Sequence, residues 1–184
     1  MTKSFITQNV KDGSVLFTAY EYAGMASQDP RTRIGAALLI KHHQEPKGIT
    51  PIVLGANHYP AFRTIPSDLE KKLTKKKNRE WKNQTILHAE KDAIQKAKQF
   101  GFSLKDSSLY VTDVPCPACT EFIIENKIGE VITHSDILKY TPKDKLKQKI
   151  NSVEDLLNAN INFGFYQGKL GYVSNLYDGI TWKP

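Results

Sequence analysis

The 184-residue sequence has few cysteines, few tryptophans and no long apolar run. Its two cysteines both lie in the motif Pro115-Cys116-Pro117-Ala118-Cys119, so no other cysteine is available for a disulfide framework or for a second cysteine-rich metal site. A disulfide within the motif would consume both sulfurs, so we expect a reducing, cytoplasmic setting. The sequence starts without the apolar stretch of a signal peptide, and no segment is long enough to span a bilayer. We therefore expect no membrane partner.

Composition places the chain among soluble globular proteins. Hydrophobic residues make up 40% and charged residues 24% of the sequence. The length suits one domain with a sizeable core. We predict a single domain over 1–184, with a basic insert at 61–84 and a C-terminal extension at 168–184.

The net charge of +7 is concentrated in two segments. Residues 70–82 carry seven Lys and Arg against two Glu, and residues 139–149 carry five Lys against one Asp. Such runs usually form solvated helix faces, which is our first interpretation. The alternative is attraction of a phosphorylated substrate or of nucleic acid.

Hydrophobic spacing and turn residues predict an alternation of helices and short apolar strands. We predict helices at 13–28, 68–80, 89–100, 117–126 and 152–160, and strands at 34–40, 52–56, 108–112, 130–133 and 161–166. The helix at 68–80 is rich in Lys. This order favours a sheet with helices on both faces, a three-layer α/β/α sandwich. The tail after Gly168 is rich in glycine and aromatic residues, and its pattern does not assign it to a helix or a strand.

The chemistry is carried by His88, Glu90, Cys116 and Cys119. A catalytic zinc site has three nitrogen or thiolate ligands and one open position for water. His88, Cys116 and Cys119 supply three such ligands, and each lies at the predicted start of a helix, where the dipole favours thiolate. Glu90 lies too close to His88 along the chain to be a convenient fourth ligand, but it can reach a bound water. The pattern is that of zinc deaminases, in which this glutamate moves protons.

Two other interpretations of the cysteine pair are weaker. A redox pair would not require a His-x-Glu motif at the start of a preceding helix. A structural zinc site would need a fourth Cys or His, and His58 and His134 stand alone rather than at ligand spacing.

Beyond the motif, the sequence resembles the cytidine and deoxycytidylate deaminase family over about residues 15–135. The resemblance rests on the segments Ser27–Ala36, Gly55–Pro60, His88–Ile94, Leu109–Cys119 and Ile123–Ile128. Two positions depart from the deoxycytidylate branch of this family. Asp92 replaces the usual Asn, and His58 replaces the usual Gly.

This resemblance implies a cytidine deaminase-like fold with a five-stranded mixed sheet, and Zn²⁺ as the cofactor. It also implies hydrolytic deamination of a free pyrimidine nucleotide, dCMP to dUMP with release of ammonia. Asn57 would contact the sugar or base, the Ala89 N–H would hold the pyrimidine carbonyl, and the Pro115 carbonyl would face the leaving amino group. The resemblance further implies a homo-oligomer, commonly a hexamer.

A 5′-phosphate would need cations, for which Arg31, Arg33 and Arg63 are candidates. Three alternatives to this function stay open. In the first, the substrate is a base in RNA, as in tRNA adenosine deaminases, and the 70–82 run is the nucleic-acid surface. In the second, the substrate is a free base or nucleoside such as guanine or cytidine. In the third, the chain is a catalytically inactive, zinc-stabilised binding subunit, which the presence of Glu90 argues against.

Overall fold

The computed structural model describes residues 3–41, 50–60 and 85–184. The predicted Lys-rich helix at 68–80 lies outside these residues. None of the helices within them has the length and apolar character needed to cross a membrane. The elements in chain order are β1 (Ser4–Thr7), α1 (Val10–Ala26), β2 (Gly35–Leu39), β3 (Ile52–Ala56), α2 (Ala89–Gln99), β4 (Ser108–Val111), α3 (Pro117–Glu125), β5 (Glu130–His134), α4 (Ile137–Tyr140), α5 (Lys143–Asn158), β6 (Asn162–Tyr166), β7 (Asn175–Tyr177) and β8 (Ile180–Trp182).

Six of these strands form one mixed sheet in the order β1-β6-β5-β4-β2-β3. The pairs β1–β6, β6–β5 and β5–β4 are parallel, whereas β2 is antiparallel to both β4 and β3. The predicted five-stranded sheet is therefore one strand short, because the sequence does not predict β1. This strand has four residues, two of them exposed, and its place is set by pairing with β6. So short and exposed a segment carries little periodic signal of its own.

Helices cover both faces of the sheet, as predicted. A Cβ on Gly35 of β2 would come within 2.0 Å of the Ala19 carbonyl oxygen of α1, and a Cβ on Gly55 of β3 would come within 2.2 Å of the Ala89 carbonyl oxygen of α2. Gly55 pairs with Ala36, the residue after Gly35. Because successive residues of a strand point to opposite faces, α1 and α2 pack on opposite sides of the sheet. The two glycines allow this close packing of helix on strand.

The predicted helix at 152–160 is wrong at its N-terminal boundary. Helix α5 runs Lys143–Asn158, because residues of the 139–149 charge run form its first half. The interpretation of that run as a solvated face holds for three of its lysines, which are exposed. It is wrong for Lys149, which is 7% exposed.

The C-terminal extension forms an element that the sequence does not predict. Strands β7 and β8 are antiparallel and make a hairpin, called the tail hairpin below (residues 175–182). The ring of its buried Trp182 stacks on that of Tyr140, with centroids 4.7 Å apart. Its Asp178 carboxylate accepts a hydrogen bond from the Arg31 guanidinium at 3.0 Å. The extension is thus packed against the main sheet's loops.

One edge of the main sheet collects the loops that carry the predicted site residues. Strands β4 and β5 are parallel, so their C-terminal ends lie at this edge. Strand β2 is antiparallel to β4, and so begins there: the Thr112 N–H donates to the Gly35 carbonyl at 3.0 Å. The loops before β2, after β3 and after β4 converge at this edge, called the site edge below.

Candidate metal centre and active site

Two helix N-termini carry the predicted metal ligands. His88 is the N-cap residue of α2, Cys116 is the N-cap residue of α3, and Cys119 lies in the first turn of α3. Pro117 occupies the first helical position, where its missing N–H would have had no intrahelical partner. The side chains of His88 and Cys116 make no capping hydrogen bond to their own helices. They turn towards each other instead.

The three side chains form a compact cluster. Nδ1 of His88 lies 3.5 Å from Sγ of Cys116 and 3.4 Å from Sγ of Cys119, and the three donor atoms all lie within 4.8 Å of one another. A tetrahedral site with Zn–N of about 2.0 Å and Zn–S of about 2.3 Å has N···S separations of roughly 3.5 Å. The cluster therefore has the size and donor set of a zinc site. Among the described residues it offers three ligands, which leaves a fourth position for water.

Hydrogen bonds within the cluster favour a thiolate. The hydrogen bond from the Cys119 thiol, followed by that from His88, lowers the pKa of Cys116 to about 4. The same bond between the two sulfurs raises the pKa of Cys119, and the bond to Cys116 raises the pKa of His88. Protons are thus shared among atoms that would be proton-free as metal ligands, so a bound cation replaces them.

Glu90 lies in the first turn of α2, two residues after His88, and is 4% exposed. Burial raises the pKa of its carboxyl to about 7. A carboxyl group of this pKa can both accept and release a proton near neutral pH, which is what a general acid and base must do.

Asn57 follows β3 at the site edge and is buried. Its carboxamide oxygen accepts hydrogen bonds from the Ser27 hydroxyl at 2.5 Å and the Ile34 N–H at 2.9 Å, and its NH₂ donates to the Thr32 carbonyl at 2.8 Å. The Asn57 side chain therefore holds the loop before β2 against the end of β3. Its contact with a substrate stays a prediction.

The two predicted backbone contacts flank the cluster along the chain. Ala89 is the first residue of α2, where a backbone N–H has no carbonyl partner within the helix. Pro115 immediately precedes Cys116, and both Ala89 and Pro115 are buried. Their role towards a substrate stays a prediction.

The arginines proposed for phosphate are placed differently from one another. Arg31 is bonded to the tail hairpin, through the carboxylate and the carbonyl of Asp178 at 3.0 and 3.3 Å. Arg33 is exposed, and its N–H donates to the Leu176 carbonyl at 2.8 Å. Arg63 lies outside the described residues. Phosphate binding by these arginines stays a prediction.

Two acidic residues near the cluster, the buried Asp92 and the largely buried Asp113, form three ion pairs that the sequence analysis does not predict. Asp92 of α2 is paired with His58 and Lys96, and Asp113, which follows β4, is paired with Lys149 of α5. The spacing of Asp92 and Lys96 is that of a helical i,i+4 pair and could have been recognised. His58 and Lys149 are far along the chain from their partners, so no local pattern indicates either contact.

His134, which the sequence analysis does not include among the metal ligands, forms hydrogen bonds to two backbone groups. Its Nε2 donates to the Gly168 carbonyl at 2.8 Å and its Nδ1 accepts from the Asp136 N–H at 3.1 Å. Burial lowers the pKa of His134, in agreement with a neutral ring that donates from one nitrogen and accepts at the other.

An α/β/α sandwich with one His and two Cys at adjoining helix N-termini is the arrangement of a zinc deaminase. The family model for the cytidine and deoxycytidylate deaminase zinc-binding region matches residues 10–135, more than half of the chain. The chain therefore belongs to the cytidine and deoxycytidylate deaminase family. Zinc is the metal of that region, and the cluster of His88, Cys116 and Cys119 fits it.

Two relatives align with most of this segment. A protein of Aliivibrio fischeri, described as an uncharacterized deaminase in the luxG 3′ region, is 33% identical over 115 residues, which is 62% of this chain and 67% of that protein. A probable deoxycytidylate deaminase of Drosophila melanogaster is 31% identical over 123 residues, which is 64% of this chain and 55% of the relative. The aligned segment thus spans only part of each relative's length.

A solved structure confirms the predicted architecture. The dCMP deaminase of the cyanophage S-TIM5 in apo form has a TM-score of 0.59 and 19% sequence identity, over 86% of this chain and 99% of that chain. A further structure of that protein contains dCMP and dUMP, with a TM-score of 0.58. At this identity the similarity establishes a cytidine deaminase-like fold.

Proposed function

We propose that the chain is a zinc-dependent hydrolase that converts dCMP to dUMP and ammonia. The observation that carries the chemistry is the cluster of His88, Cys116 and Cys119 with the buried Glu90 on the same helical turn as His88. The choice of a free pyrimidine nucleotide is supported by the family and by the description of the Drosophila relative as a probable deoxycytidylate deaminase.

In the proposed reaction, His88, Cys116 and Cys119 hold the zinc ion and Glu90 moves protons. When bound, zinc supplies a water whose pKa is lowered to about 7. Glu90 would accept one proton of the attacking water molecule and deliver it to ring nitrogen 3, while the water oxygen bonds to carbon 4. Glu90 then carries the second water proton to the amino group, the bond from carbon 4 to that nitrogen breaks, and ammonia leaves. The product keeps the proton on nitrogen 3 and the new oxygen on carbon 4.

The backbone and arginine contacts complete the proposal. The Ala89 N–H would bind the pyrimidine carbonyl, the Pro115 carbonyl would accept a hydrogen bond from the amino group, and Asn57 would contact the sugar or base. Arg31, Arg33 and Arg63 are the proposed partners of the 5′-phosphate. We further propose a homo-oligomer, which light scattering of the zinc-loaded protein would measure.

Replacing Glu90 by Gln tests the mechanism, since the amide keeps the size of the side chain but cannot carry the proton. We expect turnover to fall by about 10²-fold or more, with zinc still bound at one ion per chain. Ammonia release and elemental analysis measure the two quantities. Glu121→Gln is the matched control, because Glu121 is an exposed acid on α3. Activity of Glu90→Gln within a few-fold of the wild type would refute the proton-transfer role.

A substrate panel separates the proposal from its alternatives. Ammonia release is measured with dCMP, CMP, cytidine, deoxycytidine, guanine and tRNA under identical conditions. Turnover of free dCMP supports the proposal, whereas turnover confined to tRNA, with steep salt dependence, supports an RNA substrate bound by the 70–82 run. A zinc-loaded protein that deaminates none of them would favour the inactive binding subunit.

A further inference from the structure

The two residues that depart from the deoxycytidylate pattern, His58 and Asp92, contact each other. Asp92 lies on α2, one turn after His88, and is 5% exposed. Its Oδ1 lies 3.2 Å from Nε2 of His58. Its Oδ2 accepts hydrogen bonds from the Ala56 N–H at 3.1 Å and from Nζ of Lys96 at 2.7 Å. Both oxygens of this buried carboxylate are therefore bonded, two of the three contacts being to the segment that ends β3.

His58 is fixed on its other sides as well. The backbone N–H of His58 donates to the Leu87 carbonyl at 3.1 Å, and the backbone N–H of Leu87 donates to the His58 carbonyl at 2.8 Å. Its Nδ1 lies 2.8 Å from the Tyr59 carbonyl oxygen. Leu87 is the residue before the metal ligand His88. The His58 backbone and side chain thus join the end of β3 to the start and to the first turns of α2.

Lys96 provides a further link between Asp92 and strand β3. Its Nζ donates to Asp92 and also to the Leu54 carbonyl of β3 at 3.2 Å, so it bridges helix and strand. Gly55 lies between these points and permits the close approach of β3 to α2. Because both partners of Asp92 can carry positive charge, the carboxylate is kept in a buried position without an uncompensated charge.

Asn57 lies between the two residues of this segment that Asp92 contacts. Its two neighbours along the chain, Ala56 and His58, are both bonded to Asp92. Its own side chain holds the loop before β2. One carboxylate on the zinc-site helix therefore sets where Asn57 stands relative to the turn that carries His88 and Glu90.

We propose that Asp92, acting through the Ala56 N–H and His58, is a positioning residue that fixes Asn57 against the zinc-site helix and thereby determines the KM for the nucleotide. The inference rests on the proposed function for its kinetic consequence. It predicts that loosening this contact weakens substrate binding by Asn57 and leaves the zinc cluster intact, since losing a contact that is equally strong in the ground and transition states raises KM and leaves kcat unchanged.

The test is Asp92→Ala in the full-length, zinc-loaded protein. We expect the KM for dCMP to rise by roughly tenfold or more, while kcat per zinc ion changes by only a few-fold. His58→Gln, which leaves the Ala56 and Lys96 contacts, should give a smaller rise in KM. Asp92→Asn, which retains an acceptor for the Ala56 N–H, should restore much of the loss. If Asp92→Ala is too unstable to purify, the His58→Gln and Asp92→Asn variants carry the test.

A control with comparable hydrogen bonds separates positioning from general destabilisation. The Asp12 carboxylate on α1 accepts from the hydroxyls of Thr7 at 2.7 Å and Tyr110 at 2.8 Å, away from the 56–58 segment. Asp12→Ala should lower the unfolding temperature without changing KM. A purely structural role for Asp92 would produce the same result, and an unchanged KM in Asp92→Ala overturns the inference.

Hydrogen exchange supplies a readout that needs no turnover. In Asp92→Ala the amides of residues 56–58 should exchange roughly tenfold faster, with the central turns of α2 unaffected. Unchanged protection of 56–58 would overturn the positioning role whatever the substrate. Failure of the wild-type protein to deaminate dCMP would instead count against the proposed function, and the exchange experiment would still decide whether Asp92 fixes this segment.

Discussion

The sulfur of Cys119 is fully buried and lies 3.4 Å from Nδ1 of His88, in a cluster that offers three metal ligands among the described residues. Each of the three ligands is indispensable, because a catalytic zinc site has only three protein ligands and leaves its fourth position to water. The side chains of the cluster also hold protons that the metal must displace, so zinc affinity depends on all three groups together.

Cys119→Ser tests this dependence directly. A hydroxyl is a far poorer zinc ligand than a thiolate, so we expect the purified variant to carry less than about a tenth of the wild-type zinc and to lose turnover. Elemental analysis and ammonia release measure both. Ala118→Ser, an exposed position on the same helical turn, is the control and should keep full zinc content. Stoichiometric zinc in Cys119→Ser would show that the ligand set is wrong.

The local part of the site is predictable from the sequence, and its long-range part is not. Cys116 and Cys119 are three residues apart at the start of a predicted helix, so helical geometry predicts that they point to one side of its end. His88 and Glu90 are two residues apart, so they lie together at the start of the other predicted helix. The contact of His58 with Asp92 depends on how β3 packs on α2. A single sequence contains no periodic signal for such a contact, although both residues stand out as departures from the family's pattern.

At the scale of elements, the ion pair of Lys149 and Asp113 connects α5 to the end of β4. Nζ of Lys149 donates to Asp113 Oδ1 and to the Thr141 hydroxyl, the latter at 3.0 Å, and lies 4.9 Å from the ring centre of Tyr177. Burial lowers the pKa of Lys149 and raises the pKa of Asp113, while the attraction between them opposes both shifts. Asp113 immediately precedes the segment that leads to Cys116, so this pair braces the strand end behind the zinc site.

Lys149→Ala should destabilise the protein by up to about 3–5 kcal/mol, because it leaves a largely buried carboxylate without its cation. Replacing both partners, as in Lys149→Met with Asp113→Leu, should cost much less. Urea unfolding of Lys149→Met, Asp113→Leu and the double variant forms the cycle that measures the coupling. Additive effects within about 0.5 kcal/mol would show that the two side chains are not coupled.

The same variant has a pH dependence with a defined sign. Without Lys149, the folded-state pKa of Asp113 should rise further above its unfolded value, since burial then acts unopposed. A group with a raised folded-state pKa binds its proton more tightly in the folded state, so it favours folding at low pH and disfavours it as pH rises. The stability deficit of Lys149→Ala should therefore shrink as the pH is lowered from 7 towards about 5. A deficit that grows on acidification would contradict this assignment.

Helices and strands with a periodic hydrophobic pattern of their own are predictable from the sequence, whereas those that depend on tertiary contacts are not. Strand β2 is apolar, strand β4 contains residues that favour strands, and both are fully buried; the sequence predicts both. Strand β1 is half exposed and is ordered by pairing with β6. The first half of α5 is rich in lysine, and one of those lysines is buried only because Asp113 lies opposite. Tertiary contacts decide such segments, so local sequence reasoning misses them.

At the scale of the whole molecule, the tail hairpin joins the last residues of the chain to α1, α4 and the loop before β2. Trp182 is 4% exposed, stacks on Tyr140, and meets the ring of Tyr20 edge-on with centroids 6.0 Å apart. The contact of Asp178 with Arg31 is of a different kind, since both side chains are a quarter or more exposed. The contribution of the apolar contact of Trp182 to stability can therefore be compared with that of the ion pair of Asp178.

We expect the apolar attachment to dominate the stability of the whole molecule. Removing a buried aromatic side chain typically costs about 3–5 kcal/mol, whereas breaking an exposed ion pair costs roughly 0–1 kcal/mol. Trp182→Ala should therefore lower the free energy of unfolding severalfold more than Asp178→Asn. Trp182→Phe, which keeps a ring against Tyr140, should fall between them.

Urea unfolding followed by far-UV circular dichroism measures these differences, with zinc held at one saturating concentration because a ligand that binds the folded state adds to stability. The salt dependence is a second discriminator: added salt should weaken the contribution of Asp178 and leave that of Trp182 unchanged. If Trp182→Ala were no more destabilising than Asp178→Asn, the hairpin would not share the core. In that case its attachment would depend on the hydrogen bonds between backbone groups, such as the one from the Gly179 N–H to the Arg31 carbonyl at 2.9 Å.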